Sequence, residues 1–153
     1  MHAVNVESSG IAIICWTMMF LAISMYFDVK EQKIPAIWLW GNLVIGIVYR
    51  VFFYEGENEA GTMAALLPGI SILIMAKLSH QMGEGDGYLI MVTGCFLPIQ
   101  NHIKIILIAF WLAAGFAIGM VVIRKERGNK RIPFAPFVFV AFLFAVWGKG
   151  NIR

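Results

Sequence analysis

Asp28 and Asp86 are the two residues of this chain whose type and setting best suit chemistry: both are carboxylic acids at the edges of apolar segments. An acid that faces hydrocarbon is costly, so a protein-lined polar recess is the cheaper place for it. Two carboxyls that share one proton can hydrolyse a peptide bond. The ionised one takes a proton from water, the protonated one donates to the carbonyl oxygen, and later steps pass protons to the departing amine. Such a pair titrates as a unit, and it calls for no metal, nucleotide or other cofactor.

Asp86 belongs to the run Gly83-Glu84-Gly85-Asp86-Gly87. Three glycines in five residues predict a loop with positive φ angles that can approach an extended substrate chain closely, with Gly83, Glu84, Gly85 and Gly87 shaping it or meeting the substrate. A helix starting just after the loop would favour the ionised form of Asp86 through its exposed amides and macrodipole, and a nearby Asp28 would disfavour a second negative charge. Each part also has an ordinary reading. An aspartate at a helix end commonly caps or is solvated, and G-x-G-D arises by chance in glycine-rich loops.

The elements that position these residues follow from composition. Of 153 residues, 60% are apolar and 14% charged, and the mean hydropathy is +0.79. Soluble domains are about half apolar and a quarter charged, so lipid is the expected solvent. Six apolar segments, near 11–27, 34–54, 62–78, 88–99, 103–123 and 132–147, predict an all-α bundle of about six transmembrane helices in one membrane domain over 1–153. The fourth is short against the roughly 20 residues that a spanning helix needs, so it is expected to tilt, thin the bilayer or start in a polar recess.

The first apolar run follows ten residues that contain Glu7 and no lysine or arginine, and Lys30 and Lys33 come after it. That polarity is wrong for a signal peptide and fits a retained helix with its N-terminus outside. In this orientation the inner loops hold Lys30, Lys33, Lys77, Arg124, Lys125, Arg127, Lys130 and Arg131, against Arg50, Lys104, Lys149 and Arg153 on the outer side. The bias puts both aspartates at the inner face. Pro35 and Pro133 mark helix starts there.

The net charge of +3 is small and the basic residues lie between apolar spans, so no nucleic-acid partner is expected. The bilayer is the expected surroundings, and the basic loop 124–131 suits anionic lipid headgroups. Cys15 and Cys95 read as buried reduced thiols, without metal-ligand spacing. His80 near the glycine-rich run reads as solvated, and His2 and His102 fall in outer segments away from the aspartates. Ser24 and Ser79 have no histidine and acid at suggestive spacing. The five tryptophans read as interfacial anchors or packing.

Three local patterns together resemble the type IV prepilin peptidase (leader peptidase) family of G-x-G-D membrane aspartyl proteases. They are Asp28-Val29-Lys30-Glu31-Gln32-Lys33-Ile34-Pro35, then Gly83-Glu84-Gly85-Asp86, and then Ile132-Pro133-Phe134-Ala135-Pro136-Phe137, similar to the family's Pro-Phe-Gly-Pro start of the last helix. The likeness covers the chain from about Asp28 to Phe137. Gly87 and Tyr88 follow Asp86 where many members have an apolar residue and then lysine. The resemblance implies that Asp28 and Asp86 are a catalytic pair. It implies cleavage at the cytoplasmic face after the short basic leader of a prepilin-like or archaellin-like precursor. Glu84 itself reads first as solvated, with tuning of the loop's charge or binding of a basic leader as the other roles. Longer members carry a cysteine-containing cytoplasmic segment linked to methylation. The short stretch before the first helix here leads us to expect a peptidase of the short form, without methyltransferase activity.

Two other readings stay open. One is a proton-linked transporter component whose acids bind a cation or relay protons. The other is a non-catalytic pilus-assembly protein with the same fold.

Overall fold

The computed structural model describes residues 3–53, 59–79, 83–124 and 132–150. They form six helices: α1 (Ala3–Glu31), α2 (Ala36–Phe52), α3 (Glu59–Ser79), α4 (Glu84–Phe96), α5 (Ile99–Arg124) and α6 (Ala135–Gly150). Among the described residues there is no strand. Each apolar segment of the sequence corresponds to one helix, as expected where apolar surroundings oblige a segment to satisfy its own backbone groups.

Local chemistry sets the boundaries. Gln32 has φ 52°, and its N–H closes onto Asp28 O at 3.1 Å. This left-handed C-terminal cap ends α1 and turns the chain toward Pro35, the N-cap of α2. Leu97, held extended at φ −116° and ψ 147°, precedes Pro98, which disfavours helical geometry in the residue before it. The end of α4 therefore falls at Phe96 and not at residue 99, where apolarity alone would put it.

The start of α4 corrects a second expectation. Glycine density predicts a loop around Asp86, but Gly83 is the N-cap and residues 84–87 are already helical. No described glycine has a positive φ. Gly87 serves a close approach instead, since a Cβ there would stand 2.6 Å from Leu73 Cγ on α3.

Helix α4 is the centre of the bundle and touches α1, α2, α3 and α5. From Leu89 to Leu97 every residue except Met91 is buried. Helix α3 runs antiparallel to it at close range. Ala65 O meets the space of a Gly94 side chain, and a Cβ on Gly69 would lie 2.6 Å from Met91 N. We expect Gly69→Ala to lower stability by about 1–3 kcal/mol through overpacking against backbone. Gly115→Ala, with open space around it, is expected to leave the thermal midpoint unchanged in the same detergent. Helix α2 runs parallel to α4, with Trp40 beside Tyr88 (ring centroids 5.4 Å), Gly46 against Cys95 and Tyr49 beside Phe96 (6.1 Å).

At thirteen residues, α4 is about 20 Å long, short of a hydrocarbon core of about 30 Å. Its last carbonyls therefore need donors inside the protein. Arg50, only 3% exposed, supplies them: Nη1 donates to Gly94 O and Leu97 O, both at 2.8 Å. Read from sequence, Arg50 is only one of the basic residues counted on the outer side. Beside it Thr93 Oγ1 and His102 Nε2 lie 3.3 Å apart, both residues buried.

The exterior is apolar, with Ile37 85% and Trp111 80% exposed among many large aliphatic and aromatic side chains. Water does not tolerate so continuous a surface on a monomer. Residues Gly10–Glu31 and Ile99–Val122 are each long and apolar enough to cross a membrane. The fold fits a helical membrane protein. Cys15, expected to be buried, is exposed on α1, whereas Cys95 is buried, and both are free thiols. An apolar segment with a lipid-type face need not bury each of its residues in protein.

Candidate active site

Asp28 lies in the last turn of α1 and is 7% exposed. Its face of the helix is buried, with the polar Thr17 and Ser24 and the apolar Phe20 and Leu21 at helical spacing above it. Thr17 Oγ1 donates to Ile13 O at 2.8 Å, and Ser24 Oγ accepts from Trp38 Nε1 at 3.2 Å. The ring of Trp38 also stacks on Phe20, centroid to centroid 6.0 Å. The two Trp38 contacts tie α2 to α1 one to two turns before Asp28.

The Asp28 carboxylate reaches across to α6, where Oδ2 accepts the Ala135 backbone N–H at 2.8 Å. Phe134, just ahead of α6, has no side chain able to cap a helix, so a residue 107 positions away caps it instead. The ordinary reading of a helix-end aspartate is thus realised, but on another helix. The run Ile132-Pro133-Phe134-Ala135-Pro136 delivers the amide, with Pro136 in the first turn, where its missing N–H is harmless.

Asp86 is half-buried in the first turn of α4. Its N–H closes onto Gly83 O at 3.1 Å. Glu84, exposed, shares that turn, so two acids sit at the positive end of the helix dipole. Gly85 has nothing within 4 Å of where a Cβ would stand. That side of the turn is open, while the Gly87 side is packed.

The helix directions bring the two aspartates to one end of the bundle. Helix α1 ends, and α2, α4 and α6 begin, at this end. Trp40, near the start of α2, touches Tyr88, two residues after Asp86, and α1 contacts α4 directly. Lys30, whose Nζ donates to Tyr26 Oη at 3.0 Å, lies at the same end. His102 and Arg50 cluster at the other end of α4. His2, His80 and the loop 125–131 lie outside the described residues. Among the described residues no three His, Cys, Asp or Glu side chains gather as a metal site.

This frame and site define a class: a helix bundle with a lipid-type exterior that presents a carboxyl from each of two helices at one end. Residues 15–118, which include both aspartates, match the type IV leader peptidase family. The chain belongs to that family. It is 29% identical over 119 residues to a "Prepilin leader peptidase/N-methyltransferase" of Aeromonas salmonicida, covering 75% of this chain and 40% of that protein. Against the protein of the same name from Aeromonas hydrophila it is again 29% identical over 119 residues, covering 75% of this chain and 41% of that one. The chain thus spans about two fifths of the length of these relatives. The Ile132–Phe137 pattern lies beyond the matched residues. No solved structure matches the chain.

Proposed function

We propose that this chain is a membrane aspartyl endopeptidase that removes the basic leader from prepilin-like or archaellin-like precursors, with Asp28 and Asp86 sharing one proton and activating water between them. The observation that carries the reading is the arrival of both carboxyls, from the last turn of α1 and the first turn of α4, at one end of an otherwise apolar bundle. Family membership supports it, since both aspartates fall within the matched residues. Of the two activities in the relatives' name we take up only the peptidase, because that is the chemistry a carboxyl pair performs.

The ionised carboxylate accepts a proton from water as the hydroxyl attacks the peptide carbonyl. The protonated partner donates to the carbonyl oxygen, and collapse of the intermediate passes a proton to the amine that leaves. The open side of the turn at Gly85 gives an extended peptide room beside Asp86, and the exposed Glu84 carboxylate is set to meet a basic leader.

In the membrane, all six helices belong to one embedded domain and cross it, with the N-terminus outside and the aspartate end facing the cytoplasm. Exposed Val44, Val48 and Val51 on α2, Ile70 and Ile74 on α3, and Phe144 and Trp147 on α6 support lipid contact along the shorter helices. The excess of lysine and arginine in the loops at the aspartate end supports the orientation.

The test uses the full chain in lipid vesicles with a tagged prepilin-type precursor, read by mass spectrometry. The expected product is the precursor shortened by its leader. Binding without a mass change would favour an assembly role, and proton-coupled flux without proteolysis would favour a transporter; either would overturn the peptidase reading.

A further inference from the structure

At the end of the bundle opposite the aspartates, α1, α2, α4, α5 and α6 line a recess of about 250 Å³ that opens to the exterior. Its wall is apolar, formed by Ile13, Phe96, Ile105, Phe142 and Val146 among others, with Tyr49 and Asn101 as its polar side chains. Neither the carboxyl pair nor the polar cluster around Arg50 accounts for it.

Three states of such a space can be compared. Left empty, it leaves its lining atoms without contacts on one side. Filled with water, it offers too few hydrogen-bond partners; even an engineered cavity of about 150 Å³ lined by Leu, Ile and Phe stays dry and takes benzene. Filled with hydrocarbon, it regains the missing contacts along its apolar wall.

The mouth decides which hydrocarbon. Gly10 and Ile14 line the cavity and are themselves exposed. Next to Gly10 in the chain lies Ile11, 63% exposed, part of the same apolar exterior that a bilayer covers. A helix from another protein, about 10 Å across with its side chains, is too thick to enter, whereas an extended alkyl chain is not.

We propose that this cavity binds one acyl chain of a bilayer lipid, which enters past Ile14 and packs between α1 and α6 on one side and α2, α4 and α5 on the other. The chain closes the far end of the bundle, so lipid is a component of its packing and not only its surroundings. The proposal is independent of the peptidase reading.

To test it, the full chain is reconstituted in phosphatidylcholine vesicles containing a phospholipid with a diazirine near one chain terminus, then photolysed and mapped by peptide mass. Labelling at Ile13, Ile105 and Val146 is expected to exceed that at exposed Phe144 and Trp111 several-fold. Ala145→Trp, which fills the cavity, is expected to remove the excess. Ile14→Trp, which blocks the mouth without entering the core, should do the same even if Ala145→Trp misfolds. Phe144→Trp, on the outer face of α6, should leave the excess in place. Equal labelling of cavity and exterior, or an excess that survives Ile14→Trp, overturns the proposal. So does a photoreactive residue at position 14 that yields protein adducts in place of lipid adducts.

Discussion

Asp28→Asn and Asp86→Asn are each expected to reduce precursor cleavage by about 10²–10⁴-fold, the usual weight of a positioned acid or base. The two variants should nevertheless fold. An asparagine at position 28 keeps an amide oxygen that can accept the Ala135 N–H now bound by Asp28, so the contact between α1 and α6 survives while the exchangeable carboxyl is lost. Asp28→Ala removes both and is expected to lower stability by about a further 1 kcal/mol, the worth of a helix cap. Comparing cleavage with thermal midpoint therefore separates two roles for one residue. If both asparagine variants cleave normally, the pair is not catalytic. If Asp28→Asn loses stability and activity in step with Asp28→Ala, Asp28 is a cap and nothing more.

The second large effect is expected at Arg50, far from the carboxyls. Its guanidinium holds Gly94 O and Leu97 O at the end of α4. Hydrogen bonds to charged groups contribute about 1.5–3 kcal/mol each, and removing the donor strands two carbonyls in a dry interior. Arg50→Ala is expected to lower unfolding stability by about 3 kcal/mol or more. Arg50→Lys should recover part of this, since an ammonium donates but lacks the reach and fork of a guanidinium. Thermal midpoints and protease resistance in detergent would measure both. Because α4 carries Asp86 at its other end, cleavage should fall with the fold. An Arg50→Ala protein as stable as the parent would show that the two carbonyls find other donors.

Apolarity alone located the helices, because each must satisfy its own backbone in an apolar setting. It failed at their ends, where polar residues continue a helix. Asp28 to Glu31 remain in α1, and Glu84 to Gly87 already belong to α4. At the far end of α4 the apolar run through Leu97 and Ile99 hid the stop imposed by Pro98. Within the site, both aspartates were legible as residue types at apolar boundaries, and the Ile-Pro punctuation before the last helix was visible. The bond from Asp28 to Ala135 was not, because nothing local in either segment names a partner 107 residues away. Arg50 was hidden for a related reason. Its role is set by an α4 too short to bring its carbonyls to a polar surface, and that length emerges only once both ends of the helix are known.

The shortness of α4 also bears on how the protein is made. A thirteen-residue segment does not hold itself across a bilayer that asks for about twenty, and its free carbonyls penalise any attempt to do so. It needs a receptacle: the close-packed flank of α3, with Ala65, Gly69 and Leu73, and the guanidinium from α2. Both lie upstream in the chain, so on the ribosome they are finished before α4 emerges. The order of segments along the chain is thus also an order of assembly, with the socket delivered ahead of the piece that it receives.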